Sequence, residues 1–171
     1  MNDKPKKGVG LRDIFRKPRG EVEVIAKNVK TGEEKVIVID HNLVVNLARQ
    51  NMSRLIAGDT NVLGARYVTQ MSWGSGGHDP LHPNIPIPPT VNDVALNIEL
   101  SPPGKKTTTY DFPNATTVRF ISELTESEAN GQPISEVGLW TTSNVLFARK
   151  TFGMITKSAD FSFIFRWKIL F

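Results

Sequence analysis

The clearest hydrophobic pattern stands at the end of the chain. Phe161, Phe163, Phe165, Trp167, Ile169 and Phe171 alternate there with Ser162, Ile164, Arg166, Lys168 and Leu170, a period of two that predicts a strand with one buried face. A row of rings of this kind belongs in the core of a sandwich or in a subunit interface. Near the other end, Val22, Val24 and Ala26 alternate with charged residues, and residues 36–39 form a β-branched run. The turn-rich residues 28–33 between them predict an antiparallel hairpin. The period then changes. Val44, Leu47, Ala48, Met52, Leu55 and Ile56 fall at i, i+3, i+4, i+8, i+11 and i+12, one apolar stripe on the only long helix expected, with Asn42 as its N-cap and Gly58 as its stop.

From residue 66 the period returns to two, placing Tyr67, Thr69, Met71 and Trp73 on one face of a strand that runs into Gly74-Ser75-Gly76-Gly77. Five of the ten residues 80–89 are proline; lacking amide donors and with φ fixed, they predict a stiff extended connector. Short strands are expected beyond it near residues 94–100, 107–110, 116–124, 134–140, 145–152 and 160–171, separated by Pro-Gly, Asn-Gly and Ser-Asn turns. The fold expected is mainly β: an antiparallel β-sandwich of about seven to nine strands with one packed α-helix and an extended N-terminal arm. Residues 21–171 would form the single sandwich domain and residues 1–20 the arm.

Composition sharpens this picture. A chain of 171 residues buries roughly 70% of its unfolded surface in one core. With no Cys it is neither a disulfide scaffold nor a Cys-zinc protein. No apolar run approaches the ~20 residues that span a bilayer, and the start is polar, so synthesis and retention in a cytoplasm are expected. The formal charge of +4 is concentrated in the arm, where seven cations face two acids in residues 1–19; the remaining 14 cations and 15 acids leave the domain at −1. Within the arm Leu11, Ile14 and Phe15 stand at i, i+3 and i+4, three apolar side chains that one helical turn would present to a partner. Arg12, Arg16, Lys17 and Arg19 would meet an acidic surface and supply steering and register. Contact with nucleic acid would be salt-sensitive and non-specific, because the arm lacks interleaved aromatic residues.

Catalytic chemistry finds little support. His41, His78 and His82 are the only histidines, and Pro80 and Pro83 forbid the regular helix that would let His78 and His82 share a metal. Trp73 occupies the position where a Gly-x-Ser-x-Gly elbow needs its first glycine. Ser75, His78 and Asp79 are too close in a Pro/Gly loop to form a relay. The glycines lack the lysine and spacing of nucleotide-binding loops. Glu123, Glu126, Glu128 and Glu136 would make a glycosidase pair only if two faced one cleft. No catalytic residue, metal or cofactor is therefore expected.

Several phrases nevertheless belong together. His41-Asn42-Leu43-Val44-Val45-Asn46, Trp73-Gly74-Ser75-Gly76-Gly77, Asp93-Val94-Ala95-Leu96, Pro133-Ile134-Ser135-Glu136-Val137-Gly138-Leu139, Leu146-Phe147-Ala148-Arg149-Lys150-Thr151-Phe152, Ile155-Thr156-Lys157 and Phe163-Ile164-Phe165-Arg166-Trp167-Lys168-Ile169 follow in order. This series, over residues 33–171, resembles a family of tailed-bacteriophage virion structural proteins. The resemblance implies a β-rich, non-enzymatic block of the tail (baseplate or its attachment region), or alternatively of the neck or collar at the head-tail junction. It also implies other virion proteins as partners and a homo-oligomer around the particle axis, with no membrane contact. The basic arm and the proline-rich insert depart from that pattern. A rival expectation is a carbohydrate- or receptor-binding module in which Trp73, His78, His82 and Trp140 line a loop-end site; it requires those rings to be exposed and convergent.

Overall fold

The computed structural model describes residues 18–58 and 67–171. Its nine strands and one helix follow in the order β1 (Arg19–Asn28), β2 (Glu34–Val44), α1 (Asn46–Ile56), β3 (Val68–Gly74), β4 (Lys106–Thr107), β5 (Thr109–Asn114), β6 (Thr117–Leu124), β7 (Pro133–Thr141), β8 (Leu146–Thr156) and β9 (Phe161–Leu170). The sheet order is β4-β3-β7-β8-β2-β1-β9-β6-β5, with every neighbouring pair antiparallel. This sheet folds back on itself as two layers. Strand β2 pairs with β1 along most of its length, then crosses to pair Leu43 and Val44 with Arg149 and Ala148 of β8. On the opposite side the chain passes through buried Thr108 from β4 in one layer to β5 in the other. Trp73 of β3 meets Phe165 of β9 edge to face, at 5.4 Å between ring centroids, so the layers bury their inner faces against each other.

The alternation of β9 works as its sequence requires. Phe163, Phe165, Trp167 and Ile169 are buried in one core cluster, while Phe171 is exposed. On the outer face Lys168 pairs with Glu21 at 2.6 Å, Arg166 with Glu23 and Glu34, and Arg119 with Asp111. These charges form cross-strand ladders that keep that face in water.

Several local expectations need correction. The first strand begins at Arg19 and Gly20 is buried within it, so the arm ends earlier than residue 20. Arg19, expected as an arm contact, opens β1 opposite Leu170. Leu11, Arg12, Ile14, Phe15, Arg16 and Lys17 lie outside the described residues. Asn42 is not the helix cap. It remains in β2 opposite Gly20, and Val45 caps the helix without a side-chain hydrogen bond. Gly58 does stop the helix, with φ of 65°. The apolar stripe of α1 is only partly used: Ala48 is buried and Leu47 and Met52 pack on the core, but Leu55 and Ile56 are exposed. On β3 a register shift between Val68 and Gln70 breaks the alternation, so Val68, Met71 and Trp73 face the core and Tyr67 faces solvent. Residues 94–100 form bends and irregular chain, joined to β3 through a single bridge between Glu99 and Gly74. Their amides are claimed by a side chain that local patterning does not reveal.

Candidate functional site

That side chain is Glu136 in the middle of β7, with no solvent exposure. Its Oε1 accepts the amides of Gly76 (3.0 Å) and Ile98 (2.9 Å), and its Oε2 accepts the amide of Asn97 (3.1 Å). Arg149 of β8 donates to the same Oε2 through Nε (3.0 Å) and Nη2 (2.6 Å), and through Nη1 to Asp93 (2.7 Å). Asp93 in turn accepts the hydroxyl and amide of Thr90. Burial pushes the Asp93 carboxyl upward, but the hydrogen bonds from Thr90 and Arg149 outweigh it and hold the group below the usual carboxylate range. A buried carboxylate thus ties the glycine loop, residues 97–98 and β8 to one point.

The glycines make this approach possible. A Cβ on Gly77 would lie 2.2 Å from the Ser135 carbonyl oxygen, and one on Gly76 would lie 2.5 Å from the Asn97 side chain. The loop is therefore a close backbone packing against β7 rather than a nucleophile elbow. The connector follows the same surface. Ile87 donates its amide to the Gly77 carbonyl at 2.9 Å, Thr151 donates its hydroxyl to the Ile87 carbonyl at 2.8 Å, and Met154 donates its amide to the Pro83 carbonyl at 2.7 Å. Residues 80–89 carry no regular element, as proline predicts, yet they lie docked along β8.

The side chains expected at a ligand loop do not converge. Trp73 has no exposed area, and Trp140 is buried with its indole N–H donating to Ser72 Oγ at 2.8 Å and Lys105 4.2 Å from its ring centroid. The expectation of an exposed aromatic site is corrected on that ground: the strands carrying both rings turn them into the body. His78 Nδ1 meets Ser135 Oγ at 2.9 Å, whereas His82 lies in solvent beside Asp79. The Ser135-His78 pair, unseen in the sequence, looks at first like a nucleophile and its base. Ser135 is fully buried, however, and its hydroxyl already accepts the Gly77 amide at 2.9 Å, which makes the pair a staple for the loop. Asp79 accepts the amides of Leu81 and His82 and so closes a turn. Among the described residues no three His, Asp or Glu side chains are grouped so as to hold a metal ion.

The other acidic candidates are engaged elsewhere. Glu128 accepts from Lys106 at 2.6 Å and from the Thr125 amide at 2.8 Å; burial raises its carboxyl, but these bonds lower it further. The Glu126 carbonyl, the Asn130 amide oxygen and the Phe161 carbonyl surround the buried Lys157 ammonium at 2.6 to 3.2 Å, and desolvation holds this lysine below its ordinary value. Asp40 is lowered chiefly by its hydrogen bond from Lys150.

Open surfaces among the described residues include one beside the start of β1 and one at the free end of the sheet. At the root of the arm Pro18, Arg19, Gly20, Asn42, Leu43 and Arg49 line a cavity of about 540 Å³. At the free end of the sheet, Tyr110 and Phe112 stand exposed on β5. No protein-family model, curated protein or solved structure matches the chain.

Proposed function

We propose that the chain is a non-enzymatic structural component of a tailed-bacteriophage virion, in the baseplate or its attachment region, joined to its neighbours by subunit contacts and by the basic N-terminal arm. The neck or collar at the head-tail junction is the second placement. The observation that carries the reading is the convergence on Glu136. Asp93, Gly76, Glu136 and Arg149 come from four separate phrases of the virion-protein pattern, and they meet in one hydrogen-bonded knot around the buried Glu136 and Arg149. Residues so disposed serve to hold a scaffold rigid and leave no polar group free to act on a substrate. The burial of Trp73 and Trp140 removes the support for a glycan-binding module. An apolar anchor set on a cationic arm, beside a folded block of near-neutral charge, suits a subunit repeated around an axis.

The test is the mass of the full chain in solution at low and high salt, measured beside the chain starting at Gly20. The expected result is a salt-resistant oligomer that falls to monomers without the arm, while the circular dichroism of the shortened chain stays that of a folded β protein. Normal assembly by the shortened chain would refute the role of the arm. A monomer at every salt concentration would refute self-assembly.

A further inference from the structure

The aromatic pair on β5 is a piece of core face with nothing over it. Tyr110 pairs in register with Phe120 of β6, their rings 6.5 Å apart, and Phe120 is buried opposite Trp167. Tyr110 therefore projects on the inner side of its layer, and Phe112, two residues on, packs edge to face against it at 5.8 Å. Yet Tyr110 is 64% exposed and Phe112 68%. The inner face of this layer extends past the layer opposite and ends in an uncovered aromatic shelf. Large inner-face rings gain by leaving water, so two left exposed on one shelf mark a contact surface. Pro113 denies the β5 edge an amide donor, so addition of a further strand does not account for the site.

The arm leaves the fold at the same end of the same layer. Asn114, Thr117, Leu170 and Arg19 are aligned in register across β5, β6, β9 and β1. The 17 residues before Pro18 include Leu11, Ile14 and Phe15. We propose that the Tyr110-Phe112 shelf is the seat for Leu11, Ile14 and Phe15 from the arm of a second copy of this chain. The proposal rests on the reading that the arm links subunits, and it names the surface the arm meets.

Reach decides between the two possible arms. Four Cα steps separate Phe15 from Arg19, about 14 Å at full extension. Three strand spacings separate β1 from β5, also about 14 Å. In the chain's own arm Phe15 would be at full stretch merely in crossing and could not also turn onto the inner face to reach Phe112, two rows in from the end; only Leu11 and Ile14 would have chain to spare, so one arm cannot seat all three anchors on its own shelf. An arm arriving from another copy has no such limit. A contact of this sort is heterologous, arm to shelf, and repetition closes it into a ring where the rotation permits.

The chain has no cysteine, so engineered thiols report cleanly. Full-length Phe15→Cys with Phe112→Cys, oxidised under native conditions, is expected to give disulfide-linked dimers and a higher ladder on a non-reducing gel. Mixing the two single variants should give the heterodimer. Phe15→Cys with Ile39→Cys, where Ile39 is exposed on the outer face of β2, should crosslink at least tenfold less. As a second readout, Phe112→Ala should keep the fold and weaken association about tenfold or more by sedimentation. An intrachain disulfide would overturn the assignment to a second copy. Crosslinking no greater than the control, in a sample that is still an arm-dependent oligomer, would overturn the shelf and leave the assembly reading standing. A sample monomeric at every salt concentration, without crosslinks, would overturn both.

Discussion

Removal of the Glu136 carboxylate is the most informative single perturbation. In Glu136→Ala the buried Arg149 guanidinium keeps Asp93 as its only carboxylate partner, and the amides of Gly76, Asn97 and Ile98 lose their acceptor. Breaking one side of a buried ion pair costs about 3 to 5 kcal/mol, and each orphaned donor about 1 to 3 where water cannot reach it. These terms overlap, so the expected loss is about 4 kcal/mol or more, a large share of the ~5 to 15 that hold a domain together. For a domain of this size that is a fall of about 10 °C or more in Tm. Urea denaturation provides the measurement, with hydrogen exchange at Gly76, Asn97 and Ile98 as the local readout. The paired change Glu136→Leu with Arg149→Met separates two explanations. An isolated buried ion pair replaced by apolar residues is often neutral. Here the three amides remain without an acceptor, so the double variant should still lose about 2 kcal/mol or more. A loss below ~1 kcal/mol in Glu136→Ala, or a double variant as stable as the wild type, would refute the account of this carboxylate as the organiser of the loop.

Other outcomes follow from single contacts. Gly77→Ala should lower stability by about 2 kcal/mol or more, because its Cβ would collide with the Ser135 carbonyl and force the loop off β7; an unchanged urea midpoint would contradict the close approach. Trp167→Ala should cost about 3 to 5 kcal/mol from a fully buried site, whereas a shift below ~1 kcal/mol would place that ring at an exposed edge. Asp40, Asp93 and Glu128 all sit below their ordinary values in the fold. Their contribution is therefore complete above the unfolded values of about 4 and is lost as pH falls below them through the folded values. A urea midpoint followed from pH 7 downward should stay level on account of these groups until about pH 5 and then drop; the same drop appearing between pH 7 and 5 would contradict their pairing.

The elements legible in the sequence are those whose burial is decided by near neighbours in the chain. The β9 alternation, the β1-β2 hairpin and the Gly58 stop each rest on a period or a backbone preference within a few residues. Proline content likewise excluded regular structure from residues 80–89 without any knowledge of what lies beneath them. The misread segments are those where a distant group intervenes. Residues 94–100 look like a strand by composition, but the Glu136 carboxylate, some 40 positions away, takes the amides of Asn97 and Ile98. Asn42 looks like a cap, but β2 runs on to pair with β8. Trp73 and Trp140 look like ligand rings beside a glycine loop, yet Trp73 faces Phe165 of the opposite layer and Trp140 is covered on the other side of its sheet, against Ser72 and Lys105. Thus the sequence by itself determined the β class, the strand-forming periods and the concentration of positive charge before residue 20, because each depends on local sterics and composition. Only the tertiary structure decided which charges meet and which rings are covered. Burial and electrostatic pairing depend on distances between residues remote in the chain, and those distances exist only once the sheet has closed on itself.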